Sequence, residues 1–567
     1  MPLFTEITIA LVLAAVFGFI AYLLRQPPII GFILAGLAVG FTANPDLGAV
    51  GVIEGLAPIG VAMLLFLVGL ELKLQDLKNV GIPALITGLG QIVFTFGIGY
   101  LIATSLGFAL IPAIYISIAL TFSSTIIIVK LLSEKKELTS LYGRIVVGFL
   151  LIQDFVAILA LIVLAGLQDG GSSIVDFSFT IVRGVALVAV TFLGSRFLPK
   201  LLDRVGRSQE MLYLFSIAWV LGVAAVTEAM GLSIEVGGFL AGVALANSSE
   251  HFQIGAKMRP IRDFFLILFF VGLGTKMLVA GAVVPWLPVL VLSLFVLIGN
   301  PIIVMILMGS LGYRARTSFL ASLTVAQISE FSLIIAALGL RLGHIEATHT
   351  ALITLVGIVT IFTSSYFIIY GEGIYRRLKP ILKFFEFRKR LIEDTSLEHS
   401  FENHVVLVGI HRTGSSIMKT LVDNGEDFVA LDFDPVVVKN LKAREIPIVY
   451  GDVADEEIQD IVGLAKARLI VSTVPNKKDN MTILRLLKQK GSDARVVVTA
   501  SSEEDAKEFY REGANYVIMP HFVGGWELAQ AIGAGKGFDG LVKLQERDAQ
   551  ILDLRGLSHK RSPKKPS

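Results

Sequence analysis

The sequence predicts a multi-spanning α-helical membrane protein joined to a soluble α/β domain. Three observations carry that expectation. Of 567 residues, 54% are apolar and 17% charged, with a mean hydropathy of +0.75; soluble domains run at roughly 45–50% apolar and about 25% charged. Residues 3–375 hold thirteen apolar segments near the length of about 20 residues that crosses a bilayer. After Tyr375 the texture changes to short apolar runs alternating with polar-faced stretches.

The same composition narrows the function. A net charge of +2 gives no basic field for nucleic acid. The absence of cysteine excludes disulfides, thiolate metal sites and cysteine nucleophiles. The N-terminal "MPLFTEITIALVLAAVFGFI" lacks a basic start and a small-residue cleavage site. It reads as a first spanning helix and not a signal peptide.

The thirteen segments are 3–24, 29–43, 51–72, 82–107, 111–131, 143–167, 178–198, 211–229, 232–247, 262–280, 285–311, 316–340 and 348–375. With the N-terminus outside, sixteen Lys and Arg flank the inner ends, and three (Arg183, Lys276 and Arg341) the outer ends. Excess basic charge marks the cytoplasmic side. The count therefore predicts a cytoplasmic C-terminal domain under a cell (inner) membrane. The expected division is a transmembrane domain over 1–378, a basic amphipathic linker over 379–402, a soluble domain over 403–535 and a tail over 536–567.

Four polar clusters interrupt the apolar segments. "TFSST" (Thr121, Ser123, Ser124, Thr125) lies in segment five, and Gln153 with Asp154 in segment six. Asn300, followed by Pro301, lies in segment eleven, and "AQISEF" (Gln327, Ser329, Glu330) in segment twelve. Segments five and six recur at a plausible offset as twelve and eleven or nearby. Paired polar breaks in two halves point to inverted repeats with two broken crossing helices that meet at the midplane, where unwound backbone coordinates an ion. Hydroxyls in such places also bond their own helix backbone or join helices. An acid in lipid is costly and marks a functional site by default. Asp154 is either a neutral structural acid or a carboxylate that takes a proton and a cation in turn. Glu330 reads as a structural partner within its broken helix.

"LLFLVGLELKLQDLK" (64–78), "SSTIIIVKLL" (123–132), "GRIVVGFLLIQDFVAI" (143–158), "GGFLAGVALANSS" (237–249), "FFLILFFVGLG" (264–274) and "AQISEFSLII" (326–335) resemble the monovalent cation:proton antiporter superfamily. They most resemble its Kef-like potassium/proton branch. The resemblance implies a homodimer in the lipid bilayer. Segments four to six and eleven to thirteen would form an ion-carrying core that moves elevator-like against a scaffold of one to three and eight to ten. It implies Asp154 as the carboxylate for H⁺ and a monovalent cation, K⁺ or Na⁺. Gln153 stands where sodium-exchanging relatives have a further acid, and Asn300 aligns with a Lys or Arg of many relatives. A missing acid and a missing base together imply electroneutral exchange. The loop "HFQIGAKMRPIRDF", with Lys257 and Arg259, departs from the acidic stretch tied to glutathione gating, so that control is not carried over.

In the soluble part, "HVVLVG", "FVALDF", "IPIVYG", "ARLIVST", "ARVVVTA" and "NYVIMP" read as strands of a doubly wound parallel sheet. The first turn, "GIHRTG" from Gly409 to Gly414, stands where a dinucleotide fingerprint has G-x-G-x-x-G. His411 occupies the second glycine position and crowds a pyrophosphate. Asp432 closes the second strand about 20 residues on, where an acid holds a ribose hydroxyl. With "FDPVVVKNL" and "VYGDVADEEI" the domain resembles the regulatory RCK-N (KTN) lobe of potassium channels and Kef-like antiporters. That implies an adenine nucleotide, AMP or NAD(H), at Gly409, His411, Arg412, Gly414, Asp432, Asp434, Gly451, Asp452 and Thr473. The alternative is a lobe that only dimerises.

The expected activity is a secondary transporter, not an enzyme: a cation/proton antiporter favouring K⁺. A sodium/proton antiporter is the alternative. A nucleotide-gated potassium channel is the more distant one, since no "TVGYG"-like filter string is present.

Overall fold

In the computed structural model, residues 3–42, 48–71, 81–138, 140–165, 208–230, 234–246, 250–279, 284–386 and 401–533 are described, with 248, 541 and 544 as single positions. The chain divides into two units, Met1–Lys389 and Arg390–Ser567.

In a bilayer every backbone N–H and C=O must bond within the protein, and a helix does this locally. The elements among the described residues of the first unit are accordingly helices: α1 (Leu3–Leu23), α2 (Pro28–Thr42), α3 (Gly48–Glu71), α4 (Ile82–Ser105), α5 (Leu110–Ala119), α6 (Thr125–Glu134), α7 (Leu141–Ala165), α8 (Gln209–Ala229), α9 (Ile234–Leu245), α10 (His251–Val279), α11 (Trp286–Leu294), α12 (Asn300–Ser310), α13 (Ala315–Thr324), α14 (Glu330–Arg341) and α15 (Ala347–Leu382). A π-helical turn over Phe295–Gly299 joins α11 to α12. Twelve of the thirteen expected segments fall on these helices; segment seven lies outside the described residues. Among those residues, five helices are long and apolar enough to cross a bilayer alone.

Segments five and twelve are the broken ones. Helices α5 and α6 are separated by residues 120–124, and α13 and α14 by residues 325–329. The repeat pairs segment six with segment thirteen, not with eleven. Each broken helix is followed by a long helix, α7 or α15, whose side chains bond the break before it. Two other boundaries shift. Segment ten starts at His251 because the polar "HFQIGAKMRPIR" continues the same helix. Segment thirteen runs past 378 to Leu382, carrying Arg376, Arg377 and Lys379 on its extension. Most of the expected linker (387–400) and nearly all of the tail lie outside the described residues.

Packing sorts the helices into two groups. Helices α1, α2, α3, α8, α9 and α10 pack on one another, and so do α4 to α7 with α11 to α15. The first group is closed at backbone distance by glycine. A Cβ on Gly242 of α9 would stand 2.0 Å from the Phe66 carbonyl of α3, and one on Gly274 of α10 2.2 Å from that of Ile33 on α2. Small residues allow this approach where lipid gives helices no hydrophobic reason to associate.

The second unit is a six-stranded parallel sheet in the order β3-β2-β1-β4-β5-β6. Its strands are β1 (Val405–Val408), β2 (Phe428–Asp432), β3 (Ile448–Tyr450), β4 (Leu469–Ser472), β5 (Arg495–Thr499) and β6 (Tyr516–Ile518). The helices between them are α16 (Arg412–Asp423), α17 (Pro435–Lys442), α18 (Glu456–Ile461), α19 (Lys477–Lys490) and α20 (Glu503–Arg511), with α21 (Pro520–Gly533) last. All six expected strands are present. Parallel strands covered on both faces read as continuous apolar runs, and β1, β2 and β3 are buried throughout. The strand order reverses between β1 and β4, which opens a crevice at their carboxyl ends.

His404, just before β1, is fully buried. Its Nε2 lies 2.9 Å from the Val462 carbonyl, so that nitrogen carries the proton, while Nδ1 is buried with no partner. Burial pushes this imidazole below its ordinary range, against the smaller opposing pulls of the Val462 carbonyl and Asp427. The folded unit therefore binds fewer protons here than the unfolded chain. Its stability is complete above the unfolded value of about 6.5 and declines as pH falls through it. We expect the unit's unfolding midpoint in the detergent-solubilised protein to drop below about pH 6.5, and His404→Gln to remove that share of the drop. An unchanged pH profile in the variant would show that His404 contributes nothing.

Candidate functional site

Breaking α5 at Leu120 frees backbone groups inside an apolar unit, and three of them are bonded by side chains from neighbouring helices. Asn300 Nδ2 on α12 donates to the Leu120 carbonyl (3.3 Å), and Gln91 Nε2 on α4 donates to the Thr121 carbonyl (3.1 Å). Gln153 Oε1 on α7 accepts the Ser123 N–H (3.1 Å). The three amides are linked to one another. Gln153 Nε2 donates to Gln91 Oε1 (2.6 Å), Gln91 Nε2 to Thr95 Oγ1 (3.0 Å), and Thr95 Oγ1 to Asn300 Oδ1 (2.9 Å). Gln91, Thr95, Gln153 and Asn300 are all buried.

Asp154, one residue on, has a different surrounding. It is half-buried, and its Oδ2 accepts from Thr125 Oγ1 at 2.8 Å. Ser124 caps α6 by accepting the Ile127 N–H, and its hydroxyl faces the Glu330 carboxyl at the start of α14. Ser123 Oγ is buried without a hydrogen-bond partner. The Thr121 hydroxyl bonds the Ser117 carbonyl of its own helix, the plainer of the two roles open to it.

The second break repeats the scheme. Ile328 N–H donates to Thr360 Oγ1 on α15 (3.4 Å), and Ser364 Oγ donates to Gln327 Oε1 (2.8 Å), leaving Gln327 Nε2 buried without a partner. Ser329 caps α14. Glu330 sits at that helix's N-terminus, where the dipole favours an anion. Its Oε2 accepts from Ser329 Oγ (3.4 Å), and it lies within electrostatic reach of Ser124, Asp154 and Arg262 on α10. The structure thus gathers Ser123, Ser124, Thr125, Asp154 and Glu330 at one place and sets Gln153 and Asn300 behind it.

Between the two helix groups, Arg341 Nη2 at the end of α14 bonds buried Glu235 at the start of α9 (2.9 Å). The pair edges a cavity of ≈ 270 Å³ whose other walls, Thr350 apart, are apolar, among them Pro58, Phe269, Leu273 and Ile334.

In the α/β unit the expected nucleotide residues gather at the carboxyl ends of the central strands. Gly409 has φ +82°, a conformation open to glycine at little cost. A Cβ on Gly414 would fall 1.9 Å from the Gly409 carbonyl, which accepts from Thr473 Oγ1 at 2.7 Å. His411 precedes α16 without a side-chain cap, so the helix N-terminus keeps its N–H groups for an anion. Its ring stands 3.7 Å from Asp434 Oδ2. Asp432 is buried and engaged: Oδ2 accepts the Ile410 N–H (2.7 Å) and Oδ1 the Asp434 N–H (2.8 Å). Gly451 N–H bonds the Asp432 carbonyl, and Asp452 Oδ1 accepts from Ala454 N–H. The Arg412 side chain lies outside the described residues. These residues fit a nucleotide phosphate at the turn, with Asp434 nearer the open side than Asp432.

Gln91 and Thr95 did not stand out in the sequence. The available signal was that Gln91 is the lone amide of segment four, as Asn300 is of segment eleven. Ser364 and Thr360 carried no such mark among the many hydroxyls of segment thirteen.

The family profile described as sodium/hydrogen exchanger, transmembrane, matches residues 8–369, and that of the TrkA-N domain matches residues 405–520. The putative cation/proton antiporter YbaL of Escherichia coli (strain K12) is 29% identical, with 91% of this chain and 95% of that protein covered. The glutathione-regulated potassium-efflux system protein KefC of Salmonella schwarzengrund is 25% identical, over 91% of this chain and 83% of its own length. Among solved structures, the sodium proton antiporter MjNhaP1 of Methanocaldococcus jannaschii shares the helical fold with a TM-score of 0.50. It has 16% identity and covers 68% of this chain and 99% of its own.

The bonds of Asp432 generate a prediction that needs no nucleotide. Asp432→Asn sets an amide donor against a backbone N–H donor and costs about 1–3 kcal/mol. The α/β unit of the full-length variant should unfold at a lower temperature without any nucleotide present. An unchanged midpoint would mean that Asp432 does not hold its own turn.

Proposed function

This chain belongs to the transmembrane sodium/hydrogen exchanger family and is a cation/proton antiporter, and we propose that it exchanges K⁺ for H⁺ without net charge movement. The observation that carries this reading is Asp154: a half-buried carboxylate held by one hydroxyl, with no basic side chain bonded to it among the described residues. Its negative charge is balanced either by a proton or by one monovalent cation. Both loaded forms have the same net charge, so a core that crosses only when loaded carries none. Ser123, Ser124 and Thr125 supply oxygen ligands suited to a hard monovalent ion. Potassium is favoured over sodium by the similarity to KefC. Sodium is the alternative that the family description supports.

The movement is a shift of α4–α7 and α11–α15 against α1–α3 and α8–α10, supported by the packing of the helices into those groups. The lobe at 405–520 binds an adenine nucleotide as a regulator. The crowding residue His411 favours a mononucleotide such as AMP over NAD(H). Helix α15 is the route for that control. It bonds the second break through Thr360 and Ser364, pairs Glu372 with Arg316 (2.5 Å), and ends near Glu386, which accepts the Ala315 N–H at the start of α13 (2.7 Å). The excess of basic residues at inner ends supports an inner-membrane protein with a cytoplasmic lobe. A homodimer is supported by α21, which exposes Phe522, Trp526 and Ile532.

In proteoliposomes, Asp154→Asn should abolish cation-driven alkalinisation while the protein stays monodisperse. Retained exchange would sink the assignment. Running the wild type with K⁺, Na⁺, Rb⁺ and Li⁺, with and without a clamped potential, reads ion preference and charge movement together; a rate that follows the potential would refute electroneutrality. For the movement, the cysteine-free chain allows Glu235→Cys with Arg341→Cys as a single addressable pair. Bridging the pair with a bis-maleimide should stop exchange. A fully bridged protein that exchanges at the unbridged rate would rule out sliding at that boundary.

A further inference from the structure

We propose that Gln91 is a positioning residue of the exchange site, fixing the Gln153 amide so that Gln153 holds backbone and leaves the cation to its neighbours. The inference deepens the reading of Asp154 as the exchanging carboxylate and rests on it. The orientation of a glutamine amide is set by what it faces, and here both ends of the amide pair face backbone groups of fixed character. Ser123 N–H can only donate, so the Gln153 atom opposite it is Oε1. Nε2 then needs an acceptor, which is Gln91 Oε1 at 2.6 Å. Gln91 Nε2 in turn faces the Thr121 carbonyl, which can only accept. Two amides thus form a directed bridge from the carbonyl of Thr121 to the N–H of Ser123, within one unwound stretch.

The bridge has two consequences for transport. Gln153 has both ends turned to fixed partners, so the oxygen ligands assigned to the cation are those of Asp154, Thr125 and the hydroxyls beside them. The spacing of the unwound residues 121–123 is also held by a neutral hydrogen-bonded chain that continues through Thr95 to Asn300 and Leu120. A chain of this kind adds no charge to the site when a proton or cation arrives. Its loss would free the Gln153 amide to turn its carbonyl towards Asp154 and loosen the ion's surroundings.

The test compares Gln91→Leu and Gln91→Glu with wild type in full-length protein reconstituted in proteoliposomes. Gln91→Leu removes all three bonds, to Gln153, Thr121 and Thr95, and should raise the apparent KM for K⁺ by about tenfold or more. It should also bring the K⁺ and Na⁺ values closer together, with a smaller loss in maximal rate. Gln91→Glu keeps the acceptor for Gln153. It can serve the Thr121 carbonyl only when protonated, so its exchange should approach wild type at low pH and fall as pH rises, more steeply than the wild-type profile. Should Gln91→Leu fail to fold, the pH profile of Gln91→Glu decides alone. Wild-type KM values and pH profiles in both variants would overturn the proposal. So would a loss of thermal stability and maximal rate with an unchanged K⁺ to Na⁺ ratio, since that is a merely structural effect. Exchange retained by Asp154→Asn would instead remove the reading beneath it, whatever the Gln91 variants do.

Discussion

The membrane unit depends on the cost of opening a helix where there is no water to receive its backbone. Each freed N–H or C=O left unbonded in such surroundings costs roughly 1–3 kcal/mol, and two helices are opened here. The polar side chains of the apolar segments are placed by that cost. Gln91, Gln153 and Asn300 bond three backbone groups of the first break, and Thr360 bonds one of the second. Their hydrogen bonds let the two breaks meet with both half-helices intact. The breaks in turn bring an N-terminal hydroxyl, Ser124, against Glu330 and place Thr125 on Asp154. The site exists because the surrounding helices repay the unwinding, and two buried groups at the breaks themselves, Ser123 Oγ and Gln327 Nε2, are left without a hydrogen-bond partner.

Charge is handled with equal economy. A buried acid and base held as a pair would satisfy the same positions, but each ion loses its hydration on burial, and removing either partner leaves an uncompensated charge. Here Gln153 and Asn300 stand at the two places, joined through Gln91 and Thr95 instead of touching. Amides offer a donor and an acceptor in one group, so a chain of them can run from one backbone carbonyl to another with every member satisfied. On the proposed reading, Asp154, held by the Thr125 hydroxyl, is then the carboxylate whose partner changes.

Much of this was legible in the sequence, for reasons that differ by element. Twelve apolar segments and six strands followed from length and texture, because lipid burial and burial on both faces of a sheet each leave long apolar runs. Asp154, Gln153, Asn300 and Glu330 were visible because an acid or amide is rare in such runs. The pairing of segment six with thirteen was not visible. It is expressed in Thr360 and Ser364, hydroxyls with no compositional contrast in a segment that also holds Thr350, Thr354, Thr363 and Ser365. The bonds that Asp432 makes to its own turn were hidden for a related reason. Its position matches a ribose-binding acid, but its two oxygens are bonded to the N–H groups of Ile410 and Asp434, and no spacing rule reports where a carboxylate turns.

The two helix groups differ in how their contacts respond to sliding. Within the first group, glycines such as Gly242 and Gly274 bring backbones so close that a shift of one residue would drive a side chain into a carbonyl. Those contacts have one register. The boundary between the groups is mostly apolar side chains, whose burial rewards area and not direction, and it contains the ≈ 270 Å³ cavity. Arg341 with Glu235 crosses it near one end of α14, and the Tyr366 hydroxyl reaches the Leu24 carbonyl from α15. A polar bond of this kind is either made or broken, whereas the apolar face can be re-formed in a neighbouring register. A rigid frame, a slippery face and a few discrete bonds across it are the physical conditions under which a core carrying one neutralised carboxylate can occupy two positions.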